Sequence, residues 1–147
     1  MSGWLVDTNV LSELRRPRAS KRVQAFIAGQ ALESLFISSV TLAEIRFGIE
    51  LLDDPVRRAD LASWLTHGVR PLFESRVLPV SEDVMLKWRL MVHEGRKAGH
   101  AFSQPDLIIA ATAAVHGLTV VTRDVSAFAR ARVPVLDPWK SVTTGPG

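Results

Sequence analysis

Five short apolar runs, each too brief for a helix and separated by helical patterns, are what most constrain the fold of this chain. Leu5-Val6, Leu35-Phe36-Ile37, Val77-Leu78-Pro79-Val80, Thr119-Val120-Val121-Thr122 and Val133 to Leu136 do not alternate apolar with polar residues. A strand of that kind is buried on both faces, which predicts a parallel sheet covered by helices on each side. The intervening segments carry apolar residues at helical spacing: Val10 to Leu14, stopped by Pro17; Ser20 to Ala31; Thr41 to Leu52; Val56 to His67; Ser81 to His93; Ser103 to His116-Gly117; and Val125 to Arg130. Alternation of this sort is the pattern of an α/β fold with crossover connections. Glu94 to Phe102 reads as a polar loop, and the run at Val133 to Leu136 as an edge strand.

In an open α/β sheet, ligands sit beyond the carboxyl ends of the strands, so the residues that follow each run are informative. Asp7 follows the first, in Trp4-Leu5-Val6-Asp7-Thr8-Asn9, and Asp124 follows the fourth, in Thr122-Arg123-Asp124. Two further acids stand at expected helix starts on the same rim, Glu44 in Thr41-Leu42-Ala43-Glu44 and Asp106 in Ser103-Gln104-Pro105-Asp106. Each of these has a structural alternative, because Ser or Thr followed three residues later by an acid is a capping-box pattern. Four carboxylates gathered in a partly buried cleft must take up protons or bind a cation. An all-oxygen set suits Mg²⁺ or Mn²⁺.

Other chemistries find little support. With no cysteine among 147 residues, disulfides, thiolate zinc sites and cysteine nucleophiles are excluded. His67, His93, His100 and His116 form no ligand spacing, Gly95 to Gly99 lacks the Lys-Ser/Thr ending of a phosphate loop, and there is no Gly-x-Ser-x-Gly elbow. Trp4, Trp64, Trp88 and Trp139 read as packing residues. No leader segment is expected, and the most apolar stretch, Leu107 to Val115, is far shorter than the roughly 20 residues of a membrane span. A cytoplasmic protein is expected, with one domain over residues 1–140 and a frayed tail at 141–147.

Four ordered blocks carry a resemblance. Leu5 to Asn9, Ser39 to Gly48, Asp106 to Ala113 and Leu118 to Asp124 resemble the blocks of the PIN-domain ribonucleases, above all the VapC/FitB-type toxins of bacterial type II toxin-antitoxin systems. The likeness runs from Trp4 to about Pro138. It implies a three-layer α/β/α fold with a central, mainly parallel sheet of about five strands. It also implies a Mg²⁺- or Mn²⁺-dependent endoribonuclease whose catalytic and metal-binding acids are Asp7, Glu44, Asp106 and Asp124. Asp7 and Asp106 correspond to the firmest ligands, and Asn9 and Thr122 to supporting positions beside the metal. Some members carry Asn at the place of Asp124 and an acid three residues on, where this chain has Ala127. Resemblance further implies a homodimer held by a small cognate antitoxin in a hetero-oligomer, with no membrane association.

The net charge of +3 is mildly positive overall. With four of the fifteen acids set aside as ligands, the rest of the surface faces RNA with an excess of its eighteen Lys and Arg. Arg15, Arg16, Arg18, Arg96, Lys97 and Arg123 are the candidate phosphate contacts. A non-catalytic RNA- or protein-binding domain is the alternative function. A metal-dependent phosphatase is another, although such an enzyme calls for an acid where Asn9 stands.

Overall fold

The computed structural model describes residues 3–100, 103–140 and 142–144. In chain order it contains β1 (Trp4–Val6), α1 (Thr8–Arg15), α2 (Lys21–Ala28), β2 (Leu35–Ser38), α3 (Ser39–Glu50), α4 (Pro55–Trp64), α5 (Arg70–Phe73) and β3 (Val77–Leu78). These are followed by α6 (Glu82–Lys97), α7 (Gln104–His116), β4 (Thr119–Val121), α8 (Val125–Arg130), β5 (Val135–Asp137) and β6 (Val142–Thr144). The sheet order is β3-β2-β1-β4-β5-β6, parallel throughout except for β6, which pairs antiparallel with β5.

The alternation of side chains along each strand divides the core into two layers. Val6, Val121 and Leu136 face one side, with Leu35 and Ile37 from β2, and meet Val10, Leu11, Val23, Leu42, Ile45 and Phe73. Their immediate neighbours Leu5, Val120 and Val135 face the other, against Ile109, Ala110 and Ala113 of α7 and Phe128 of α8. Both sheet faces are thus dry, which is why the strand sequences show no polar alternation. The three-layer arrangement with a mainly parallel sheet agrees with the expected fold class.

Several boundaries differ from expectation. Helix α3 starts at Ser39, because Ser38 rather than Thr41 is its N-cap: the Ser38 hydroxyl accepts from Val40 N–H at 3.0 Å. Thr41 is fully buried and its Oγ1 has no hydrogen-bond partner. The helix expected to end at His67 instead passes from α4 through a π-helical turn at Leu65–Val69 into α5, so that Leu65, Val69 and Phe73 reach the core. Helix α6 extends to Lys97, four residues into the expected loop, where Arg96 and Lys97 suit the negative end of the helix dipole.

The run at Val133 to Leu136 is not the sheet edge, because β6 covers it with the pairs Val135↔Thr144, Leu136↔Thr143 and Asp137↔Val142. Val142–Thr144 therefore form a strand rather than a frayed tail; residues 141 and 145–147 of that expected tail lie outside the described residues, as do 101 and 102 of the expected loop. Ser20 and Ser81 do cap their helices, accepting from Val23 N–H and Val84 N–H at 3.3 and 3.2 Å. Gly117 ends α7 in the left-handed conformation at φ 65°.

Candidate active site

The chain builds β1, β2 and β3 outward on one side of the sheet and then returns to add β4 and β5 on the other. The reversal falls between β1 and β4, and this is the crevice where doubly wound sheets take their ligands. One residue past the paired strand ends Val6↔Val121, Asp7 and Thr122 stand next to each other. Backbone bonds fix both: Asp7 N–H to Val121 O, and Thr122 N–H to Leu136 O, each 3.0 Å.

Thr122 organises this rim. Its hydroxyl donates to Asp7 Oδ2 at 2.8 Å and accepts from Asn9 Nδ2 at 3.0 Å and from the Asp124 N–H at 3.1 Å. Asn9 completes the link from the other direction, its Oδ1 accepting from the Arg123 N–H at 3.2 Å. A threonine methyl can pack while its single oxygen makes all three bonds, and Thr122 is fully buried. Asn9 and Thr122 together hold Asp7 and the Asp124 backbone in fixed relation.

Asp7 is also the N-cap of α1, with Oδ1 accepting from the Thr8 N–H at 2.8 Å. It is only 6% exposed. Burial pushes its carboxyl above the ordinary aspartate value of 3.8; the hydrogen bonds from Thr122 and Thr8 pull it back, and the charges of Asp106 and Asp124 push it up again. The carboxylate that the scaffold fixes most firmly is therefore one that its surroundings disfavour in the ionised form. A cation would relieve both the desolvation and the repulsion.

The remaining acids are placed less closely. Asp106 occupies the first turn of α7, and Ser103 makes no capping hydrogen bond there, so the capping-box alternative does not account for it. Asp124 precedes α8 and is exposed. Glu44 is exposed on the second turn of α3, not at its start, and is not among the charges acting on Asp7. Among the described residues, no three Asp, Glu, His or Cys side chains close to metal-chelating distance. The charges of Asp106 and Asp124 act on Asp7, and that of Glu44 is not among them. In its chemistry, an all-oxygen donor set around a desolvated carboxylate still fits a hard divalent cation.

The expected phosphate contacts are scattered. Arg16 pairs with Glu13 at 3.6 Å and Lys97 with Glu94 at 3.7 Å. Arg15 lies over the Trp64 ring at 5.7 Å. Arg96 lines a cavity of about 460 Å³ with Trp88, Arg89 and His100 that reaches Gln104 and Leu107, the residues on either side of Pro105-Asp106. Arg123 is at the rim itself, with its guanidinium 4.4 Å from the centre of the Trp139 ring.

Sequence reasoning overlooked three rim residues. Ser38 is the last residue of β2 and follows the apolar run Leu35-Phe36-Ile37 as Asp7 follows Leu5-Val6, so the same logic of position finds it. Asp137, buried at the end of β5, accepts from the Trp139 N–H at 2.9 Å. Trp139 was read as packing; it does rest against the core, but it also carries Arg123. Nothing local in the sequence signals that pairing.

Comparison with known proteins agrees with this architecture. Residues 4–134 match the PIN domain family model. The chain is 38% identical over 135 residues to Toxin FitB of Neisseria gonorrhoeae, covering 92% of this chain and 97% of that protein. It is 35% identical over 136 residues to the VapC ribonuclease Y4jK of Sinorhizobium fredii, covering 92% and 97%. Among solved structures, FitAcB from Neisseria gonorrhoeae superposes with a TM-score of 0.86 at 38% identity, over 92% of this chain and 98% of that one. The family match spans β1 to β4 and α8, including β1 and β4, the two strands that frame the Asp7 crevice, and on that ground the chain belongs to the PIN-domain family.

Proposed function

We propose that this protein is a divalent-metal-dependent endoribonuclease that acts in the cytosol as the toxin of a toxin-antitoxin pair. The observation that carries the reading is Asp7: a buried, hydrogen-bonded carboxylate facing two further acids at the switch point of a parallel sheet. Likeness over nine-tenths of the chain to a VapC ribonuclease and to Toxin FitB supports it.

In this reading Asp7 and Asp106 hold Mg²⁺ or Mn²⁺, with Asp124 and Glu44 completing the set. The bound ion would lower the pKa of a water and offset charge developing on the scissile phosphate. Thr122 keeps both Asp7 oxygens in place by fixing one of them, and Asn9 keeps Thr122 in place. Arg96 and Arg123, which flank Asp106 in sequence and are both exposed, supply positive charge for the RNA backbone.

A small antitoxin partner and a homodimer are part of the same reading; a similar solved structure, at 37% identity, is FitAB bound to a DNA fragment. Phe47 and Leu51 at the end of α3 are 61% and 65% exposed, an apolar stripe suited to a subunit contact. Among the described residues no helix is long and apolar enough to cross a membrane.

Cleavage of end-labelled RNA by the purified protein with Mn²⁺ or Mg²⁺, against chelator and an Asp7→Asn preparation, tests the proposal. Cleavage that persists in the variant would refute it, because that activity would be a contaminant or belong to other residues. The second reading is binding without cutting. Calorimetric titration with Mn²⁺ separates the two: no heat of binding favours the second.

A further inference from the structure

Arg123 lies between the hub Thr122 and the acid Asp124, yet among the described residues its guanidinium forms no ion pair with any carboxylate. Arg123 adjoins Asp124 in the chain, and an unrestrained guanidinium readily takes a carboxylate. Two contacts restrain this one. The Asn9 side chain holds the Arg123 backbone N–H, and the Trp139 ring holds the guanidinium, 4.4 Å from its centroid. Trp139 is itself held in place, its backbone N–H donating to the buried Asp137 carboxylate at 2.9 Å and its side chain packing against the core. A guanidinium lying over an aromatic face keeps its N–H edge free for a planar anion.

We infer that Trp139 is a positioning residue that holds Arg123 as a phosphate clamp at the mouth of the acid site, turned away from the carboxylates and toward the RNA backbone. This rests on the ribonuclease reading for its ligand. Arg123 is exposed at the sheet rim whereas Asp7 is buried, so the clamp engages a phosphate flanking the cleaved one. Without the ring, the same arginine would fold back onto the carboxylates and compete for them.

The test is binding of a fluorescein-labelled single-stranded RNA to the full chain in chelator, by anisotropy over a series of salt concentrations, with Arg123→Ala, Trp139→Leu, Trp139→Phe and the double variant Arg123→Ala/Trp139→Leu. Arg123→Ala is expected to weaken binding roughly three- to tenfold and to reduce the slope of log affinity against log salt by about 0.7, one phosphate contact on a single strand. Trp139→Leu should reproduce most of that loss and Trp139→Phe little of it, since a phenyl face still carries the cation. The double variant should be no weaker than Arg123→Ala alone. RNA affinity that is absent in the unmodified protein or unchanged by Arg123→Ala overturns the inference. So does a Trp139→Leu effect of the same size in the Arg123→Ala background, which would mark Trp139 as merely structural. Because Arg123 is exposed, its substitution reads the clamp even if Trp139→Leu fails to fold. Failure of the parent reading looks different: RNA would bind with the Arg123-dependent slope, but metal would bring no cleavage.

Discussion

The two sides of the candidate site are built in contrasting ways. On the β1/β4 side, Asp7, Asn9, Thr122 and Asp124 are joined through one buried hydroxyl and two strand ends, with every connecting hydrogen bond between 2.8 and 3.2 Å. On the helical side, Asp106 and Glu44 project from α7 and α3 with no side-chain hydrogen bond among those described, and Thr41 near the start of α3 buries a hydroxyl without a partner. One side is fixed before any ligand arrives; the other is held only by its helices. Preorganised groups lose little on binding, whereas the helix-borne acids have room to move toward a cation.

The largest test of that contrast removes an acid from each side. Asp7→Asn and Asp106→Asn should each reduce RNA cleavage by at least about a hundredfold, since each removes a ligand of the proposed metal. Gel assays with matched preparations decide it, and full activity in either would mean that its side of the site is dispensable.

Next is the hub. Thr122→Val keeps the shape but deletes three hydrogen bonds and leaves Asp7 Oδ2 buried without its donor. A stability loss of about 1–3 kcal/mol in denaturant titration is expected, with cleavage reduced roughly ten- to a hundredfold as Asp7 loses its orientation. The matching change on the other side, Thr41→Val, should be neutral or stabilising, because it replaces an unpartnered buried hydroxyl with a methyl of similar size. If Thr41→Val lowered cleavage as much as Thr122→Val, the two sides would not differ as described.

A smaller effect concerns pH. Asp7 holds its proton more tightly folded than unfolded, so its ionised form opposes folding at neutral pH, and this penalty fades as pH falls through the raised folded pKa toward 3.8. Asp7→Asn removes the titration, at the cost of leaving an amide NH₂ against one of the two donors. In chelator, the stability of the variant relative to the unmodified protein should therefore be greatest at neutral pH and should decline as pH is lowered through that window. A difference independent of pH would show that Asp7 is not desolvated in solution. The smallest effect belongs to Ser38→Ala, a cap loss of about 1 kcal/mol that should leave metal affinity unchanged.

Much of this was legible in the chain. The apolar runs Leu5-Val6 and Val120-Val121 dictate buried parallel strands whatever surrounds them, since dry strands need both faces covered. Asp7 and Asp124 were placed by the same argument, because whatever follows a buried strand emerges at the rim. The acids on helices were harder. Thr41-x-x-Glu44 and Ser103-x-x-Asp106 have the form of capping boxes, and local sequence cannot say that Ser38 takes the cap of α3 or that Ser103 makes no capping bond. Helix ends were misjudged where tertiary contacts override local signals: Leu65, Val69 and Phe73 enter the core and carry the chain helically past His67, and β6 finds a partner in β5 that no short-range pattern announces.

By itself, then, the sequence determined the layered parallel sheet and the carboxylate at its switch point, because burial and strand direction are properties of short apolar segments and their order. Only the tertiary structure decided which oxygen bonds which: that Thr122 binds Asp7 across 115 positions and that Trp139 carries Arg123. Those contacts join strand ends distant in the chain, and their geometry depends on register and packing that no local pattern encodes.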